Sequence, residues 1–168
     1  MKKGFTLIEI LVIIAVLGVL ASAVLFVLNP MDQIRKSNDA KRKASLGQVQ
    51  SALELYYQDT GRYPASSSNF QLYINNVTIS WGNSWMPYMS KLPTDPTFGK
   101  TFVYYSPASS NGQTYYLYAN LERGAKDAQV CNAGNACTSI TSGGAGAPSA
   151  TACGGTCNYG VSSPNTVP

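Results

Sequence analysis

Residues 10–28 form a run of 19 residues without a single charged side chain. No other feature constrains this chain as strongly. Extended slightly to residues 5–28, the run is 24 residues of mostly Leu, Ile, Val and Ala. As a helix it spans about 36 Å at 1.5 Å per residue, enough to cross a bilayer. Gly18 and Pro30 are the helix-weakening residues in and just beyond it, and Pro30 is expected to kink the helix rather than end it. One carboxylate, Glu9, stands at the edge of the run. A charged side chain at the centre of a bilayer costs roughly 2.5–3.5 kcal/mol and less near the interface, so a retained carboxylate signals a use.

Beyond Pro30 the pattern becomes one-sided. Met31, Ile34, Leu46, Val49, Leu53, Tyr56 and Tyr57 share a face at helical spacing. Asn38 and Arg42 interrupt that face, which predicts that this part of the helix does not pack on its own domain. Asp59-Thr60-Gly61 supplies a stop, with Gly61 just past the end and Pro64 after it. The expectation is one long helix over residues 5–59.

Residues 64–96 read as a loop-rich connection with short elements near 70–74 and 85–92. The prolines of "KLPTDP" (91–96) make a stiff turn. Two β-like runs follow, 101–106 and 114–121, with the hairpin signal Asn111-Gly112 between them. In the second, Tyr115, Leu117, Ala119 and Leu121 alternate with Tyr116, Tyr118 and Asn120, so one face can cover the helix. Trp81, Trp85 and Tyr88 are expected to help cover it too. The fold class is α+β, with a small antiparallel sheet on a long N-terminal helix.

Nothing after Asp127 carries a charged side chain, and all four cysteines lie in that tail. Cys131, Cys137, Cys153 and Cys157 read as two disulfides if the tail faces an oxidising compartment. Their C-x5-C and C-x3-C spacings are loose for zinc. Local pairs (131–137, 153–157) are possible, and the nested pairs (131–157, 137–153) suit an antiparallel strand pair and are slightly preferred. A third strand is expected near 129–131. The tail is expected to decorate the outside of the domain. Histidine is absent, and no nucleophile with its base stands out, so an enzyme is not expected.

The leader carries the sharpest motif. In "KKGFTLIEI" (2–10) a short basic stretch ends in Gly4, Phe5 follows, and then Thr6-Leu7-Ile8-Glu9 leads into the apolar helix. This resembles the class III signal and prepilin-type N-terminal methylation motif of type IV pilins and type II secretion pseudopilins. "ALELYYQDTGRYP" (52–64), "LPTDP" (92–96) and "YYLYANLE" (115–122) resemble the end of the pilin long helix, its connection and the second strand of pseudopilin-like domains. The tail matches no family pattern.

The resemblance implies a pilin-like fold and a structural subunit of a type IV pilus or type II secretion pseudopilus. It divides the chain into a leader (1–4), a transmembrane and filament-core helix (5–28), an amphipathic helix (29–60), an αβ-loop with antiparallel sheet (61–127) and a cysteine-bearing tail (128–168). It implies cleavage by prepilin peptidase between Gly4 and Phe5, N-methylation of Phe5, and pairing of Glu9 with the N-terminal amine of a neighbouring subunit. Implied partners are further copies in a helical filament, other pilins or pseudopilins, the inner-membrane assembly platform and membrane lipid. The implied location is the cytoplasmic membrane, N-terminus inside, and then a periplasmic or extracellular filament. Some pseudopilins carry calcium in the C-terminal loops. Here only Glu122 and Asp127 could supply charge, so no metal site and no cofactor is expected. The alternative is an ordinary signal peptide cut after Ala23 at Ala21-Ser22-Ala23, releasing a soluble binding domain.

One feature runs against the implied orientation. Lys2 and Lys3 precede the apolar run, while Arg35, Lys36, Lys41, Arg42 and Lys43 follow it. Counted alone, these charges would put the far end inside. The cluster is expected to be a solvated or headgroup-contacting face, or else to bridge subunits through Asp32, Asp39 or Glu54. With few aromatics nearby, nucleic acid is not expected as a partner.

Overall fold

The computed structural model of the protein describes residues 4–141, 146–164 and 166–168, those at 25–28 and 141 by backbone alone. Lys2 and Lys3 lie outside the described residues. The chain divides into two compact units, Met1–Arg35 and Lys36–Pro168.

In the first unit, helix α1 runs over Leu7–Leu28. The expected single helix is in fact broken at Asn29, which adopts a left-handed conformation (φ 41°, ψ 72°), and α2 (Pro30–Thr60) begins at the next residue. The reason is local. A residue before proline is disfavoured in the α region, and Asn tolerates the left-handed one. Pro30 then takes the first helical position, where its missing N–H is harmless. The N–H of Asp32 bonds the Asn29 carbonyl at 3.0 Å, closing the new first turn.

The second unit is built on the rest of α2. That helix ends where expected: the Gly61 N–H bonds the Tyr57 carbonyl at 2.8 Å with Gly61 at φ 72°. Strands β1 (Ala65–Ser66), β2 (Leu72–Ile74) and β3 (Val77–Ile79) make a small antiparallel sheet. Strands β4 (Val103–Tyr105), β5 (Tyr116–Ala119) and β6 (Tyr159–Ser162) make the main one, in the order β4-β5-β6, all antiparallel. Tyr104 faces Leu117 across β4–β5, and Leu117 faces Val161 across β5–β6. The third strand is therefore β6 and not residues 129–131, where a short 3-10 turn over Cys131–Gly134 begins instead.

The period-2 pattern of β5 works as read. Leu117 and Ala119, with Tyr115, pack in a core with Leu46, Val49, Ala52 and Leu53 of α2. Each fully buried Leu contributes roughly 1.5–3 kcal/mol by leaving water. Trp85 is buried there and sits 5.7 Å from the Tyr56 ring. The opposite sheet face is buried as well. Val103, Tyr105 and Tyr118 pack against Cys137, Ile140, Cys153 and Cys157 of the tail. The tail thus forms the second cover of a two-faced sheet, not an outer decoration. Its disulfides are the local pairs Cys131–Cys137 and Cys153–Cys157 rather than the nested ones. The nested pairing presumed two facing strands, and none of these cysteines lies in a strand.

Candidate functional site

The first site lies at the start of α1. Gly4, Phe5 and Thr6 precede the helix without regular structure, and Phe5 is exposed. Thr6 is the N-cap. Its Oγ1 accepts from the Glu9 N–H at 3.3 Å, while Glu9 Oε2 accepts from the Thr6 N–H and the Thr6 hydroxyl, both at 2.9 Å. This reciprocal capping box satisfies helix-end donors that would otherwise lack partners within the helix. Thr6 was not singled out from the sequence. The signal was present, because T-x-x-E before an apolar run is the capping-box pattern.

Past Glu9, α1 offers only apolar and small side chains. Leu7–Val24 is long and apolar enough to cross a membrane, and none of it is buried within the chain. Added atoms at Gly18 would meet nothing within 4 Å. The face is open to lipid or to another helix, and small residues such as Ala15, Gly18, Ala21 and Ala23 permit close backbone approach.

The second site lies on α2. Arg42 is fully buried, against the expectation that this stretch leaves its own domain. Its Nε and Nη2 grip Asp95 at 2.7 and 2.8 Å, Nη1 donates to Asp39 at 2.9 Å, and Nη2 also reaches Thr97 Oγ1 at 2.8 Å and Glu122 Oε1 at 2.9 Å. Asp39 in turn accepts from the backbone N–H groups of Glu122 and Arg123 at 2.8 and 2.9 Å. Burial alone would lower the Arg42 pKa. The bonds to Asp95, Glu122 and Asp39 outweigh it and raise the pKa, so the guanidinium stays charged. Burial pushes the Glu122 carboxyl up, but Thr97 and Arg42 donate to it and hold it below its ordinary value.

The neighbouring Lys43 makes a second contact of this kind. Its Nζ donates to both Asp127 oxygens at 2.7 Å and to Gln129 Oε1 at 2.8 Å, and lies 5.6 Å from the Tyr159 ring centre. The bond from Lys43 is the main cause of a lowered Asp127 pKa. Glu122 and Asp127, the two carboxylates a calcium ion would need, are therefore both bonded to side-chain cations. Their oxygens do not fit a calcium site, which needs six to eight oxygen ligands without competing positive charge.

These contacts reduce the awkward charge count without reversing it, since three exposed cations still follow the apolar run and two lysines precede it. Arg42 and Lys43 are neutralised inside the second unit. Arg35, Lys36 and Lys41 are the exposed remainder, so the five cations after the apolar run act as three. The idea that Asp39 or Glu54 bridges subunits is corrected. Asp39 serves Arg42, and Glu54 accepts from the Tyr63 and Tyr115 hydroxyls at 2.9–3.1 Å.

Comparison with known proteins places this geometry in context. Two family models match: the prokaryotic N-terminal methylation motif at residues 1–25, and type II secretion system (T2SS), protein G, at residues 29–135. Among curated relatives named type II secretion system core protein G, that of Pectobacterium carotovorum subsp. carotovorum is 36% identical over 98 residues, 56% of this chain and 62% of its own length. That of Pseudomonas aeruginosa is 31% identical over 132 residues, 75% of this chain and 89% of its own. That of Escherichia coli K12 is 31% identical over 109 residues, 63% of this chain and 73% of its own. No solved structure gives a significant match.

Proposed function

The chain belongs to the type II secretion system protein G family, and from that premise we propose that it is a pseudopilin, the structural subunit of a secretion pseudopilus. The observation that carries the reading is α1. Leu7–Val24 is apolar on every side and unburied, and one carboxylate marks its start. Each such Leu, Ile or Val gains roughly 1.5–3 kcal/mol on leaving water. The helix therefore rests in lipid first and packs against the same helix of other copies afterwards.

Glu9 directs that exchange. Prepilin peptidase cuts between Gly4 and Phe5, and Phe5 becomes the N-methylated first residue. The new amine lies four residues from Glu9 in sequence, close to the cap that holds the carboxylate. In a low-dielectric bundle a carboxylate and an ammonium attract strongly, and each is costly alone. Glu9 exchanges its Thr6 bonds for a neighbour's amine as copies join. The subunit thus sits in the cytoplasmic membrane with its second unit outside, engages an assembly platform and other pseudopilins, and is built into a periplasmic filament.

The test is the intact mass of the protein recovered from cells, with a filament assay on Glu9→Ala. A chain starting at methylated Phe5 is expected, and E9A is expected to insert in the membrane yet lose filaments at least about tenfold, the scale of one lost charge pair. A chain starting at Val24, or normal filaments from E9A, would overturn the reading.

A further inference from the structure

Resting on the family reading above, we propose that Arg42 and Lys43 act as tethered cations that, with two disulfide-closed loops, lock residues 120–130 in place of a divalent ion, so that this chain folds independently of calcium. The segment after β5 carries Glu122, Asp127 and Gln129. All three direct oxygens at nitrogens of α2: Glu122 at Arg42, and Asp127 and Gln129 at Lys43. Around Lys43 Nζ three oxygens stand at 2.7–2.8 Å. These ammonium bonds occupy oxygens that a bound cation would otherwise use, and the chain itself supplies the charge. A tethered charge is always present, whereas an ion must be bound from solution.

The other side of the segment is gripped by the tail. In the Cys131–Cys137 loop, Gly134 (φ 96°) lies so close to Ala125 that a Cβ would come within 2.6 Å of its nitrogen. In the Cys153–Cys157 loop, Asn120 Nδ2 donates to the Thr156 carbonyl at 2.6 Å, and Gly155 lies so close to Asn120 that a Cβ would come within 3.0 Å of its side-chain amide. Glycine permits these approaches. The Cys137 N–H bonds the Cys157 carbonyl at 3.0 Å, which ties the two loops together. Asn158 completes the grip. Its side chain accepts from the Leu121 N–H at 2.7 Å and donates to the Leu121 carbonyl at 3.1 Å. The match to the protein G family ends at residue 135, so the Cys153–Cys157 loop and Asn158 lie beyond it. Arg42, Lys43, Glu122, Asp127 and Gln129 lie within it, and the tail adds the rest of the lock.

The experiment follows amide exchange over residues 121–130, and the thermal midpoint, of the oxidised full chain in detergent micelles. It compares EDTA, calcium at about 10 mM (above the weak range of extracellular calcium modules) and a reductant. Neither EDTA nor calcium is expected to change exchange or midpoint. Reduction is expected to speed exchange at least about tenfold, and calcium is expected not to restore it. Lys43→Gln is expected to do the same, while Lys43→Arg keeps the protection and so separates loss of the cation from loss of the fold. A midpoint that falls with EDTA or rises with calcium would overturn the proposal, as would unchanged exchange in K43Q. Because the readout uses unassembled chains, its failure is distinct from a failure to form filaments.

Discussion

At the scale of single residues, Arg42 occupies a position where a helix of this kind would ordinarily place an aliphatic side chain. It is wholly buried, and Asp39, Asp95 and Glu122 surround it. Removing one partner of a buried ionic group leaves the others charged and dry, which costs about 3–5 kcal/mol. Arg42→Met is therefore expected to lower stability by about that amount in urea unfolding of the micellar chain. Adding Asp95→Asn to it is expected to recover part of the loss. A change below about 1 kcal/mol would mean that the carboxylates reach water without the arginine. Arg42 was legible in the sequence only as an interruption. A pattern read along one helix scores arginine as polar, and apart from Asp39, one turn away, the partners that satisfy it lie 53 to 80 residues away. Glu9 was legible because its meaning is local, and its cap is three residues off.

At the scale of elements the same division holds. The α2 stop at Gly61 and the inward face of β5 depend on short-range chemistry, and the sequence states them openly. The break at Asn29 was also local, a residue poised before proline, but a strong apolar run on one side and a helical pattern on the other masked it. Strand β6 was not legible. Tyr159-Gly160-Val161-Ser162 is short and mixes strand-favouring Tyr and Val with Gly and Ser, and its place is decided by the open edge of β5 and by the bond of Asn158, just before it, to Leu121. Its importance can be measured. Truncation after Ala128 would remove β6, both disulfides and the cover over Val103, Tyr105 and Tyr118. It would also leave the Leu121 backbone groups without their Asn158 partner. An exposed, aromatic sheet face is expected, read as binding of an apolar dye and loss of protease resistance. Native resistance in the truncated chain would return the tail to the role of decoration.

For the whole molecule the ionisable groups predict a broad plateau of stability with two different edges. The chain has no histidine, so no ordinary side chain titrates near neutrality. On the acid side, Glu122 and Asp127 are held below their ordinary values by Arg42, Thr97 and Lys43. Their contribution is complete above the unfolded carboxylate range, about pH 4, and is lost as the pH falls below it. On the alkaline side the tyrosines decide. Burial raises the hydroxyls of Tyr104, Tyr115, Tyr63 and Tyr118, with Glu54 adding its charge beside Tyr63 and Tyr115. A raised pKa means the folded state favours the neutral phenol. The stability it brings is therefore complete below the unfolded value of about 10 and drains away as the pH rises beyond it. These rings span both faces of the β4-β5-β6 sheet, since Tyr104 and Tyr115 face α2 while Tyr118 faces the tail. They cannot ionise one at a time without opening one cover or the other. In an alkaline titration, tyrosinate absorbance from this set is expected to rise in a single step together with the loss of near-ultraviolet circular dichroism. Smooth titration of every tyrosine near the ordinary value, with the fold intact, would mean that these hydroxyls reach water in the folded state and that their ionisation is not tied to the sheet's two covers.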